Sequence, residues 1–223
     1  MTKIFLSFHI LIFSFLCSIC GQDDARSQKI IDDMTAKFKT YPSVSLELSA
    51  TITSLQDKSE TKQEVKLWLK SNKYKLETSD FVIFSDESKI YYYTPAVKEV
   101  NVTQPEPNEN SGDFQLLNPQ SYFNISSKNF RSKLLRETVQ NDRKVYEIDL
   151  YPVQIKTADY SRIRIMIEKT TLQTVYLKAF MNDGTNYSLS FKPYHIVQPA
   201  LRDSFFTFNP LEHPGVEVID LTF

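Results

Sequence analysis

The chain has 223 residues, 41% of them hydrophobic and 24% charged, with a formal net charge of -1. That length supplies one sizeable core. Its four glycines, Gly21, Gly112, Gly184 and Gly215, are too scattered to write G-x-G-x-x-G or a P-loop, which sets aside dinucleotide enzymes and P-loop NTPases. The near-neutral balance leaves no electrostatic footprint for nucleic acid. With 16 Phe and 12 Tyr, the chain commits its bulk to large apolar surfaces instead.

Residues 1–20 read as a secretory signal peptide. Lys3 precedes an apolar run from Ile4 to Ile19, too short to span a bilayer, and Ser18-Ile19-Cys20-Gly21 forms the exit. Acylation of Cys20 is the rival reading, although Ile19 is bulky where that signal wants a small residue. Both cysteines, Cys17 and Cys20, fall in this leader, so residues 21–223 form a single domain without a thiol or a disulfide.

The next elements are one helix and then many strands. Ile30, Met34 and Phe38 recur every four residues with Ile31 alongside, which predicts an amphipathic helix over 23–40, capped by Asp23 and Asp24 and stopped by Pro42. The period then becomes two. Leu46, Leu48, Ala50 and Ile52 alternate with polar residues, as do Val65, Leu67 and Leu69. Short strands follow near 74–76, 81–84, 90–93 and 100–102, with Asp86-Glu87-Ser88 as a hairpin turn. Residues 104–113 spell an exposed loop, and the apolar but non-alternating stretch 114–123 reads as a short helix or lid. Strands resume at 133–138, 144–152, 162–168, 172–181 and 186–195, with Asp183-Gly184 turning the last pair.

Ten or eleven antiparallel strands, each with one apolar face, do not stay flat. They curl, and a large curled sheet encloses either a ligand cavity or its own side chains. The pattern alone leaves those two outcomes open.

Catalytic constellations are absent. His9 belongs to the leader, His195 ends a strand and His213 sits in a Pro-rich turn. There is no H-E-x-x-H and no G-x-S-x-G. Glu64, Glu77, Asp149 and Glu168 occupy strand positions that read as solvent-facing, and no pair of them stands out for glycosidase chemistry. The expectation is a protein that is not an enzyme and needs no metal or cofactor.

The C-terminal run Phe206-Thr207-Phe208-Asn209-Pro210, then Pro214-Gly215-Val216-Glu217-Val218-Ile219-Asp220, resembles the closing signature of the outer-membrane lipoprotein carrier (LolA) family. The middle follows the family's order as well. Val65 to Lys70 with Trp68 is followed by Tyr74 to Glu77, then Ser85-Asp86, then Ile90-Tyr91-Tyr92-Tyr93-Thr94-Pro95, then Lys98-Glu99-Val100. Two departures stand out. Glu87 replaces the glycine of the family's turn, and no arginine stands near Ser71, where many members latch the lid, so Lys70 or another device must serve.

The resemblance implies a mainly β (α+β) fold, an incomplete, strongly curled antiparallel barrel of about eleven strands with a helical lid over a hydrophobic cavity. It implies a monomeric periplasmic carrier that takes acylated lipoproteins from an inner-membrane ABC-type releasing complex to an outer-membrane acceptor. The alternative on the same fold is a lipid-binding or envelope-sensing module; a secreted hydrolase is the third. The cavity lining falls to Leu46, Leu48, Ala50, Ile52, Val65, Leu67, Leu69, Ile163, Ile165, Ile167, Val175, Leu177, Leu189 and Phe191. The lid falls to Ile31, Met34, Phe38, Leu116 and Leu117, and Trp68 packs outside. For any one of these residues, ordinary core packing is an equal reading.

Overall fold

The computed structural model describes residues 17–105 and 118–222. The leader up to residue 16, most of the 104–113 loop, and Leu116 and Leu117 lie outside them. One helix, α1 (Cys17–Lys39), precedes thirteen strands. They are β1 (Val44–Ser54), β2 (Glu60–Lys70), β3 (Lys73–Glu77), β4 (Val82–Ser85), β5 (Ile90–Thr94), β6 (Glu99–Thr103), β7 (Phe130–Gln140), β8 (Arg143–Pro152), β9 (Tyr160–Glu168), β10 (Thr174–Met181), β11 (Thr185–Phe191), β12 (His195–Ile196) and β13 (Glu217–Asp220).

All thirteen belong to one sheet, ordered β13-β6-β5-β4-β3-β2-β1-β11-β10-β9-β8-β7 with β12 beside β1. β7 and β13 end the order without pairing to each other, so the barrel is not closed. The count exceeds eleven because the final segment adds two short strands: β12 pairs β1, and β13 runs parallel to β6. Alternation predicts one strand through 186–195, which the structure divides into β11 and β12, and none at 217–220.

Register explains which face is buried. Leu48 stands opposite both Phe191 and Val65, Leu67 opposite Leu76, and Ile165 opposite Ile148 and Leu177. Successive side chains alternate across a sheet, so these pairs share one concave face. Turns follow backbone chemistry. Gly184 sits at φ 86° in the β10–β11 turn. Glu87, at φ 82° in the β4–β5 turn, occupies the left-handed region that favours glycine, which accounts for the family's glycine there.

The C-terminal signature is a structural staple on the convex face. Phe208 packs against Phe84, Tyr93 and Val100 in a second apolar cluster, and His213 stacks on Phe208 with ring centroids 4.8 Å apart. Phe205 meets Trp68 edge-on at 5.7 Å, so Trp68 lies outside the concave core as expected. Lys70 does not latch a lid. Its ammonium donates to Leu201 O at 2.7 Å and to Asp203 at 2.6 Å, and Lys73 reaches the same carboxylate at 2.8 Å.

Asp149 is corrected from solvent-facing to buried. It is 1% exposed and Glu147 is 2% exposed, both on the convex side of β8. Arg162 and Arg164 of β9 lie over Asp149 at 3.1 and 2.8 Å, Arg136 of β7 bonds Glu147 at 2.6 Å, and Phe180 lies under the Arg162 guanidinium at 4.2 Å. Three guanidinium groups thus roof two carboxylates.

Removing Arg164 leaves both carboxylates buried with fewer donors. Arg164→Met should therefore cost about 3–5 kcal/mol. Asp149→Asn should cost less, because the arginines it frees are partly exposed and turn to water; urea denaturation checks the order. Asp203 offers a pH test. Hydrogen bonds from Lys70 and then Lys73 hold its carboxyl at about 2, below its ordinary value of 3.8. A depressed carboxylate contributes stability above its unfolded value and loses it as pH falls. The difference in urea midpoint between the native chain and Asp203→Asn should shrink as pH drops from 4 toward 2.

Candidate functional site: the covered concave face

An open sheet with an apolar concave face needs a cover, and two separable pieces provide it. The first is α1. Ile30, Ile31 and Met34 are buried in the core and Phe38 packs against it. The opposite face carries Lys29 with Asp33 and Gln28 with Asp32, one turn apart in solvent. The second is a segment that opens with a one-turn 3-10 helix at Pro119–Tyr122, capped by the Asn118 side chain, and continues through Phe123 and Ile125 into β7.

The two pieces interlock. Phe38 of the helix stacks on Phe123 with centroids 4.4 Å apart and planes 8° apart. Thr35 Oγ1 donates to Ile125 O at 3.3 Å. Phe123 in turn meets Phe191 and Tyr194 edge-on. Buried aromatic pairs of this kind contribute about 0.5–1.5 kcal/mol each beyond their area.

The helix is also tied to the β7 edge. Ser27 Oγ and Ser132 Oγ share a hydrogen bond of 2.8 Å in a buried position. Arg26 pairs with Glu137 of β7, which Lys169 also reaches. Those two cations hold the Glu137 carboxyl below its usual range, Lys169 contributing the stronger hydrogen bond. The cluster joins a cation on the helix to a carboxylate on the sheet.

Polar groups beneath the cover are satisfied locally. The Thr174 amide donates to Tyr194 Oη at 3.0 Å, and that hydroxyl donates back to Thr174 O at 3.2 Å. Burial pushes the Tyr194 phenol well up, and burial raises Tyr74 to about 12. Both stay neutral at any physiological pH.

Most residues expected to line a cavity lie together. Leu46, Leu48, Val65, Leu67, Leu69, Ile163, Ile165, Ile167, Leu177, Leu189 and Phe191 share the concave core, with Ala50 packed against it and Ile31, Met34 and Phe38 arriving from the helix. Two do not fit. Ile52 keeps inward parity but is 41% exposed, because β1 runs past the covered region toward its hairpin. Val175 is buried outside this cluster; the register slips between Thr174 and Tyr176, so Thr174 takes the inward place, 3.5 Å from Met34 Sδ.

The interior described is filled. Ile165, Ile167 and Leu67 are fully buried against neighbours rather than facing a large void. A shallow cleft beside the helix C-terminus, with a volume of about 10 Å³ and so room for about one water molecule, is lined by Met34, Lys37, Phe38, Tyr41, Phe123, Leu172, Gln173, Thr174 and Tyr194. Periodicity pointed to Met34 and Phe38, whereas Phe123 ends the non-alternating 114–123 stretch and Tyr194 falls off the inward parity of Leu189 and Phe191 in the expected 186–195 strand. Among the described residues, no group of three or more His, Cys, Asp or Glu could hold a metal ion, and no helix is long and apolar enough to cross a membrane.

An unclosed, curled antiparallel sheet with a helix and the 119–125 segment packed over its concave face defines the fold. No protein-family model and no curated sequence matches the chain. Solved structures do. An uncharacterized conserved protein from Thermus thermophilus matches with a TM-score of 0.54 at 8% identity, over 87% of this chain and 99% of that one. A LolA superfamily protein from Nitrosomonas europaea matches at 0.41, with 12% identity over 82% and 97% of the two chains. The lipoprotein LppX of Mycobacterium tuberculosis matches at 0.48, with 12% identity over 80% and 100%. The likeness to the first is one of fold.

If the concave residues are core in this covered state, Ile165→Ala should cost about 2–5 kcal/mol and Ile52→Ala less than about 1 kcal/mol. Chemical denaturation of both variants measures the contrast.

Proposed function

We propose that this protein is a periplasmic carrier that shields the acyl chains of lipoproteins on its concave face and moves them from the inner to the outer membrane, by binding and not by catalysis. The observation that carries the reading is the pairing of an open apolar sheet with a cover that is not part of it. The sequence landmarks shared with the lipoprotein carrier family, from Val65–Lys70 to the closing Pro214–Asp220 run, point the same way. An ABC-type releasing complex and an outer-membrane acceptor are the partners such a role requires.

The chemistry follows from burial. Each acyl methylene removed from water is worth about 0.8 kcal/mol, so chains that anchor a lipoprotein do not cross an aqueous gap unprotected. To receive them, α1 and the 119–125 segment swing off the sheet, and the cargo replaces Ile31, Met34, Phe38 and Phe123 against the strands. Cargo that binds only the open form shifts the population toward it.

A crosslink tests this directly. Every buried side chain described lies at Ser27 or beyond, so a chain starting at Gln22 keeps all of them. In that chain Ser27→Cys with Ser132→Cys supplies the only two thiols, at positions whose hydroxyls are now 2.8 Å apart. The oxidised pair should bind a triacylated peptide at least about tenfold more weakly than the reduced pair, with reductant restoring uptake. Equal binding in both states would mean that the helix need not move. No uptake by the native sequence would remove the carrier reading itself.

A further inference from the structure

We propose that the convex face of β7–β10 is a docking surface for an anionic lipid membrane. The proposal goes beyond the carrier reading: it names where the protein rests on a bilayer, whatever its concave face holds.

The first observation is charge. Arg131, Lys133 and Arg136 of β7, Arg162 and Arg164 of β9, and Lys178 of β10 stand on the convex side with Glu147 and Asp149 of β8. The register sets Lys133, Asp149, Arg164 and Lys178 in one row across the four strands. Six cations against two carboxylates leave this face at +4, with Arg143 and Glu168 cancelling at its far end. In a chain of net charge -1, the remainder then carries -5. Arg131 and Lys133 are exposed. Among the described residues, neither they nor Lys178 lie within ion-pair distance of a carboxylate.

The second observation is that the arginines are held in place. Glu147 and Asp149 fix three guanidinium groups from beneath, yet the Arg136 side chain stays 67% exposed. A guanidinium carries five N–H donors in a rigid fork, and those not engaged by the buried carboxylates remain for phosphate oxygens.

The third observation is an apolar margin. Leu135, Tyr151, Val153 and Ile155 are exposed along the β7–β8 border, Ile155 by 76%. Tyr151 stands opposite Arg131. A protein–protein interface has an apolar centre and a polar rim. Here the centre is charged and the margin apolar, which suits a membrane surface: cations meet the phosphates while a few apolar side chains enter the headgroup layer. The cover lies on the opposite face of the sheet, so docking leaves it unobstructed.

The test is co-sedimentation of the chain from Gln22 with vesicles of phosphatidylcholine alone, or of equal parts phosphatidylcholine and phosphatidylglycerol. Both vesicles offer the same acyl chains, so lipid uptake on the concave face does not discriminate between them. The native chain should bind the anionic vesicles at least about tenfold more tightly, and raising salt from about 0.1 to about 1 M should erase the difference. Arg131→Gln with Lys133→Gln should weaken anionic binding about tenfold, and Ile155→Ser about threefold. Lys37→Gln with Lys39→Gln, the same charge change in the last turn of the helix, should not weaken it. Equal binding to both vesicles, or equal weakening by the two double variants, overturns the proposal. So does an absence of vesicle binding, which leaves an acidic protein as the class of partner for this face. Arg131 and Lys133 are exposed, so their replacement should leave the urea midpoint and the uptake of a triacylated peptide unchanged. Loss of that uptake along with vesicle binding would overturn a separate docking surface, whereas failure of the native chain to take up the peptide touches only the carrier reading.

Discussion

The rest of this structure depends on one constraint: the sheet does not close on itself. β7 and β13 end the strand order, so the curl buries side chains on its concave side without sealing it. A closed barrel of this size would fill or enclose its interior with its own strands. Here the interior is covered by α1 and the 119–125 segment, neither of which is a strand of the sheet, although the Gln120 side-chain amide donates to Lys73 O of β3 at 3.2 Å. Their hold is side-chain packing, the Ser27–Ser132 hydroxyl pair and the Arg26–Glu137–Lys169 cluster. Strand pairing runs along the whole sheet, whereas this cover is joined to it by side-chain contacts.

The convex side carries complementary reinforcement. On the β3–β6 half, the C-terminal segment lays Phe206 and Phe208 over the strands and is fastened by Lys70 and Lys73 to Asp203. On the β7–β10 half no segment among the described residues covers the strands, and the surface is built instead from Glu147 and Asp149 beneath Arg136, Arg162 and Arg164. Buried carboxylates are costly unless their oxygens are bonded, and here each is met by two guanidinium groups. Both devices stiffen the sheet from behind, which leaves the concave face as the side where the structure can change.

Much of this was legible in residues 44–103 and 130–191, because one wet face and one buried face impose strict alternation. Leu46, Leu48, Leu67, Ile163 and Ile165 announce their orientation by spacing alone. Asp149 did not, because alternation marks it correctly as outward but cannot say that arginines on neighbouring strands fold over it. Lys70 misled for a related reason: its partner Asp203 is far away in sequence and close only once the C-terminal segment has wrapped the convex face. Val175 failed through a bulge, a one-residue slip that no periodic template contains. The cleft was the least legible feature. It is assembled from α1, the 119–125 segment, the β9–β10 turn and Tyr194, four pieces of chain with no common pattern.

The cover's energetics bear on what it can admit. Burying Ile30, Ile31 and Met34 is worth about 1.5–3 kcal/mol each, so the apolar face of the helix is held by roughly 5–9 kcal/mol before any aromatic stacking. An acyl chain of about a dozen methylenes returns roughly 10 kcal/mol at about 0.8 kcal/mol each, which barely offsets that opening cost. Two or three chains exceed it clearly. On the proposed carrier reading this discriminates by chain number: multiply acylated cargo opens the sheet, while a single chain has little driving force to do so. The same opening cost weakens the hold on whatever is carried, because affinity is reduced by the fraction of molecules already open. The proposed role, in which a load is surrendered to a membrane, needs that discount, and the packing of the cover supplies it.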